Sequence, residues 1–153
     1  MQMDLIAGHA REALLLISLE HWDAFDDRSR FPAHLGLGSG LDPDWLDAFA
    51  AAARRALHQE SPENLTDACS TMVGPGEGDR IVERVDPAWV EAVARIPDRE
   101  LDHIAGAWIE ILSAEHGELS REDKSWLRYV ASELVAFARS ARPAEDVLFA
   151  WGF

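Results

Sequence analysis

The chain contains one cysteine, Cys69, and one lysine, Lys124, among its 153 residues. A lone cysteine excludes an intrachain disulfide, and a zinc site would need most of its ligands from other residue types. Long apolar runs are also missing. Ala13–Ile17 is typical of those present and falls far short of the roughly 20 residues that span a bilayer. The opening Met1-Gln2-Met3-Asp4 lacks the basic flank of a signal peptide, so the expected location is the cytoplasm. Positive charge is scarce: 14 basic residues stand against 28 acidic ones, a formal charge of −14. Such a surface repels nucleic-acid phosphates and anionic headgroups, so neither nucleic acid nor membrane is an expected partner. It attracts a basic protein and speeds the encounter, and it also keeps the chain in solution. Homo-oligomerisation is compatible with this composition but cannot be read from it. Arginine and alanine dominate over lysine in the manner of GC-rich coding, so the arginines are not evidence of selected phosphate binders.

Catalytic signatures are equally sparse. His-x-x-x-His, His-Glu-x-x-His, Gly-x-Ser-x-Gly and paired-cysteine motifs do not occur. Gly36-Leu37-Gly38-Ser39-Gly40 resembles a phosphate loop only superficially, because no lysine follows and the glycine spacing fits neither nucleotide fingerprint. Gly74–Asp79 likewise lacks a basic residue and reads as a turn. Glu100 and His103 stand three apart, a spacing that places two metal ligands on one helix face, but no second such pair completes a carboxylate-bridged centre. No cofactor and no metal are expected.

What is present is a chain 48% hydrophobic and 27% charged, long enough for one domain spanning 1–153. The first helix is expected from about Asp4 to Phe25. Leu14, Leu15, Leu16, Ile17 and Leu19 leave it almost no polar side, which implies burial, although a buried strand over Ala13–Leu19 is the alternative. Asp26–Gly40 reads as a loop. A helix capped by Asp42 with Pro43 at its first position should present Trp45, Phe49, Ala52, Ala53, Ala56 and Leu57 inward. A short helix from Ser61 to Met72 follows, then a strand at Ile81–Val85. Asp86-Pro87 begins another helix, ending near Ile96. Asp98 is expected to cap the next, Arg99–Glu115, whose Leu101, Ile104, Ala105, Trp108, Ile111 and Leu112 share one face. Ser120 and Asp123 resemble a capping box, opening a helix that ends before Pro143. The apolar tail Val147–Trp151 should dock, as a short strand beside Ile81–Val85. The resulting expectation is an all-α fold: a compact bundle of five or six helices with at most one two-stranded β element, 81–85 with 147–151. One echo stands out. Leu41–Ala48 and Val85–Ala92 share the pattern Asp-Pro-x-Trp, either a duplicated unit or two similarly capped helix starts.

The densest cluster of titratable groups beside an apolar segment comprises His21, Trp22, Asp23, Asp26, Asp27 and Phe31. These are the candidate binding residues: acids give charge complementarity, and Trp and Phe supply the kind of anchors that dominate interfaces. Two functional classes follow. The first is a non-enzymatic acidic protein that engages a basic protein partner, for example an immunity or antitoxin-like inhibitor of a basic bacterial toxin. The second is a small hydrolase or metal-dependent enzyme that uses His21 or His103 with nearby carboxylates.

Overall fold

The computed structural model describes residues 2–38, 41–57, 66–73 and 80–152, with the backbone alone for 66–73. Gln2–Gly8 form a strand, β1. Its side chains alternate: Met3, Leu5 and Ala7 enter one hydrophobic cluster and Ile6 the other, with Asp4 on the same face as Ile6. A strand covered on both faces reads as one apolar run rather than as an alternation of apolar and polar residues. Gly8 closes it where the chain passes Phe31; a Cβ there would lie 2.5 Å from the Phe31 ring. Helix α1 (Ala10–Ser18) follows at once, and Glu20 ends it with a left-handed φ of 57°. A 3-10 turn (Trp22–Asp26) leads to β2 (Ala33–Gly38) and then α2 (Pro43–Leu57). Strands β3 (Thr66–Val73) and β4 (Arg80–Val85) pair with each other. Helix α3 (Pro87–Ala94), a 3-10 turn (Asp98–Glu100), α4 (Leu101–His116), α5 (Arg121–Ala141) and β5 (Asp146–Gly152) complete the chain.

The five strands form one antiparallel sheet in the order β2-β1-β5-β4-β3. This overturns the expected all-α bundle. The pairing of 81–85 with 147–151 is present, with Ile81 opposite Trp151 and Arg84 opposite Leu148, but it is the centre of a larger sheet and not an isolated ribbon. Helices α2 to α5 cover one face of the sheet. There Phe49, Trp89, Trp108, Leu112, Leu127 and Phe149 enter one core with Leu5 and Val147. The other face carries α1 and the first 3-10 turn, with Ile6, Ala13, Ile17, Phe25, Phe31, Val82 and Leu148 in a smaller cluster. Each fully buried large side chain contributes about 1.5–3 kcal/mol, so the first core dominates stability.

Four further expectations are corrected. The single helix over Asp4–Phe25 is instead β1, α1 and a 3-10 turn, and the near-total burial inferred for it fails: Leu15 is 58% and Leu19 52% exposed. The loop over Asp26–Gly40 contains β2, in which Ala33, Leu35 and Leu37 point to the helical core and the intervening His34 and Gly36 to the other face. The helix over Ser61–Met72 is overturned where it is described, because 66–72 lie in β3; 61–65 fall outside the described residues. Asp98 does not cap α4; its carboxylate accepts from Arg139, whose guanidinium also donates to the Ala94 and Ile96 carbonyls. By contrast, the capping box at Ser120 and Asp123 is formed on both sides. Asp42 and Asp86 both accept backbone N–H groups at their helix starts, at 3.1 and 2.8 Å. Among the described residues, α2 and α3 each follow a strand, β2 and β4, but the next described element is β3 after α2 and a 3-10 turn with α4 after α3. Among the described residues, no helix is long and apolar enough to cross a membrane.

Candidate functional site

Asp4 is the only charged or polar residue fully buried among those described. It sits in β1 opposite Gly36 of β2 and Ala150 of β5, two small neighbours that leave room beside its carboxylate. His34 fills that room from β2. Its Nε2 lies 3.0 Å from Asp4 Oδ1, and its Nδ1 lies 3.4 Å from Asp26 Oδ1 at the end of the 3-10 turn. Phe25 shields the imidazole, with ring centroids 5.6 Å apart. Burial of His34 works against protonation, but hydrogen bonds to Asp4 and Asp26, reinforced by their charge, outweigh it and raise the pKa above the ordinary 6.5.

An imidazolium donating to two carboxylates has no open nitrogen with which to take a proton. In that protonated form His34 acts as a strut, since a general base must present a free lone pair. It ties β1, β2 and the 3-10 turn together across one face of the sheet. At the far end of the same turn, the Trp22 ring lies against Arg80 of β4, with the guanidinium carbon 4.6 Å from the ring centroid. Trp22 also touches Phe25 at 5.7 Å, and Phe25 meets Phe31 edge-on at 4.9 Å. The turn is thus held at both ends, by a histidine bridge at Asp26 and a cation–π contact at Trp22.

The residues expected to form a binding patch fall into three groups. Asp26 and Trp22 make the anchoring contacts just described. Phe31 is fully buried, so it serves packing and presents nothing to a partner. His21, Asp23 and Asp27 are exposed. The Asp27 carboxylate accepts from the Ser29 hydroxyl and backbone N–H, at 2.6 and 3.0 Å, and these bonds lower its pKa below the usual value. The imidazoles of His21 and His103 engage in no hydrogen bond or ion pair among the described residues. His103 is exposed on α4. Among the described residues, no group of three or more His, Cys, Asp or Glu side chains is arranged to hold a metal.

Asp4, His34 and Arg80 were not legible as functional residues, since Asp4 and His34 are 30 positions apart and meet only through strand pairing. The one available signal was a carboxylate inside an apolar run, which must find a partner if the run is buried. No protein-family model, curated protein sequence or solved structure matches the chain.

Proposed function

We propose that this protein is a non-enzymatic binding protein that docks a basic protein partner on the face formed by α1 and the first 3-10 turn. The observation that carries the reading is an exposed apolar pair with an acidic border. Leu15 and Leu19, one helical turn apart, are 58% and 52% exposed, and the chain directly beyond them presents Glu20, Asp23, Asp26 and Asp27 to solvent. The two arginines in that border are engaged: Arg28 donates to the Phe25 carbonyl, and Arg30 pairs with Glu12. An apolar centre within a charged rim is the usual anatomy of a protein interface, and acidic residues select a basic counterpart.

The backbone at Glu20 adds support. Its N–H bonds the Ile17 carbonyl and the His21 N–H bonds the Leu16 carbonyl, a helix ending that favours glycine at the left-handed position. A glutamate kept there at some strain is a reason to look for function. The inhibitor of a basic toxin is the concrete version of this proposal. The enzymatic alternative has less to stand on, because the His21 and His103 side chains are each exposed and have no hydrogen-bond or ion-pair partner among the described residues.

The test uses immobilised protein at low and high salt. The wild type should retain a basic protein at low salt and release it as ions screen the border. Leu15→Ser with Leu19→Ser should abolish retention. Tyr129→Ser, which alters a residue 62% exposed on α5, should leave it intact. Retention unaffected by the double substitution would remove the proposed face.

A further inference from the structure

The two contacts of His34 are unequal. Its Nε2 meets Asp4 at 3.0 Å, and that side chain is 4% exposed. Its Nδ1 meets Asp26 at 3.4 Å, and that side chain is 73% exposed. The elements packed around the ring bring no other charge to it among the described residues. Ile6 of β1 lies opposite His34, and Phe25 of the 3-10 turn covers the imidazole. Arg28 is turned to the Phe25 carbonyl, and Arg30 to Glu12 of α1. Helix α5 approaches β2 from the opposite face, in the cluster that holds Leu35 and Leu37.

An imidazolium has two N–H donors and serves both acids, whereas a neutral imidazole has one. A carboxylate cannot donate, so a neutral His34 must give up one contact, and burial decides which. Asp4 is shut off from water, and its carboxylate has no other hydrogen bond among the described residues, so losing the N–H would leave a buried charge unsatisfied. Asp26 exchanges the same contact for water at little cost. The release reaches as far as the packing allows. Phe25 and Phe31 are fully buried and fix the chain on either side of Asp26–Arg30. Trp22 stays against Arg80, whose charge does not titrate in this range. Within Asp26–Arg30, the remaining side-chain tie to another element among the described residues is the partly exposed Arg30–Glu12 pair, which contributes little.

We propose that Asp4, His34 and Asp26 form a proton-operated latch, in which protonated His34 closes the segment Asp26–Arg30 onto the sheet and neutral His34 stays with Asp4 and frees it. The device belongs to the fold, and neither it nor its test depends on the partner reading.

Arg28 and Arg30 place tryptic sites inside the segment, so limited proteolysis reads its opening. The His34 pKa is raised above 6.5, so about pH 6 is the closed state. Cleavage, divided at each pH by that of a free peptide of residues 24–34, should be about fivefold faster at about pH 9 than at about pH 6, the order of one hydrogen bond. Imidazole nitrogen NMR should show the remaining His34 proton on Nε2 once the ring is neutral. In Asp26→Asn the side-chain amide can accept from the imidazolium and donate to the bare Nδ1 of the neutral ring, so cleavage should be equally slow at both pH values. No rise in the wild type, a neutral ring protonated on Nδ1, or a rise that persists in Asp26→Asn would each overturn the latch. The first two readouts use the unmodified chain, so a folding defect in the variant would not shelter the proposal.

Discussion

Burial opposes protonation of His34 and two carboxylates favour it, Asp4 from β1 and Asp26 from the 3-10 turn, with Phe25 supplying only an apolar wall. The folded pKa is raised above 6.5, which means that the folded state binds this proton more tightly than the unfolded chain does. The corresponding stability is fully present below about pH 6.5 and is lost as pH rises through the folded value. The stability difference between wild type and His34→Gln, taken from urea unfolding, should therefore be larger at about pH 6 than at about pH 9. A difference that grows with pH would contradict the bridge. Glu20 illustrates the opposite balance. Its φ of 57° is costly for any residue with a Cβ, and relieving it with Glu20→Gly should raise stability by about 1 kcal/mol. The same substitution removes an acid from the proposed docking border, so partner retention should fall as the melting temperature rises. A loss of stability in Glu20→Gly would show that the glutamate contributes something besides charge.

Among the elements, those with chemical punctuation were legible and those without it were not. Asp42-Pro43, Asp86-Pro87 and Ser120–Asp123 announce α2, α3 and α5 because a side-chain acceptor must satisfy orphan N–H groups at a helix start. β1 carries no such mark. It is buried on both faces and joined to α1 through His9 alone, so strand and helix merge into one apolar stretch. β2 was obscured differently, by Gly36 and Gly38, which have low strand propensity and imitate a loop. The candidate site was legible only in its local half. Trp22, Asp23, Asp26 and Asp27 lie close in sequence, whereas Asp4, His34 and Arg80 reach the same sheet face through long-range pairing. The capping signals also carry a measurable cost. Ser120 accepts the Asp123 N–H at 3.0 Å, and Asp123 in turn accepts the Ser120 N–H at 3.3 Å. Ser120→Ala should lower the unfolding free energy by about 1 kcal/mol in urea titration, without altering the sheet. A change below a few tenths of a kcal/mol would mean that the start of α5 is held by packing instead.

Across the whole molecule, the first and last strands meet in the middle of the sheet. β5 lies between β1 and β4, so Gln2 stands opposite Gly152 and Gly8 opposite Asp146. β5 also sends Val147 and Phe149 into the helical core and Leu148 and Ala150 into the cluster beneath α1. The last strand therefore joins both hydrophobic layers and supplies the ladder partners of two neighbours. Asp146 extends that role by accepting the Ala10 N–H at the start of α1. Deleting residues 146–153 would leave β1 and β4 with facing rows of unpaired backbone groups and would open both cores to water, at a cost exceeding the 5–15 kcal/mol that typically stabilises a domain of this size. The truncated chain should lose its near-ultraviolet circular dichroism and its cooperative unfolding transition, with its exposed strand edges prone to aggregate. Adding a synthetic peptide of the deleted sequence should restore part of the signal, because strand addition re-forms the missing ladders. A truncated chain that still melts cooperatively near the wild-type temperature would show that β2–β1 and β4–β3 fold as independent halves, and that the central strand is an addition to the fold and not its keystone.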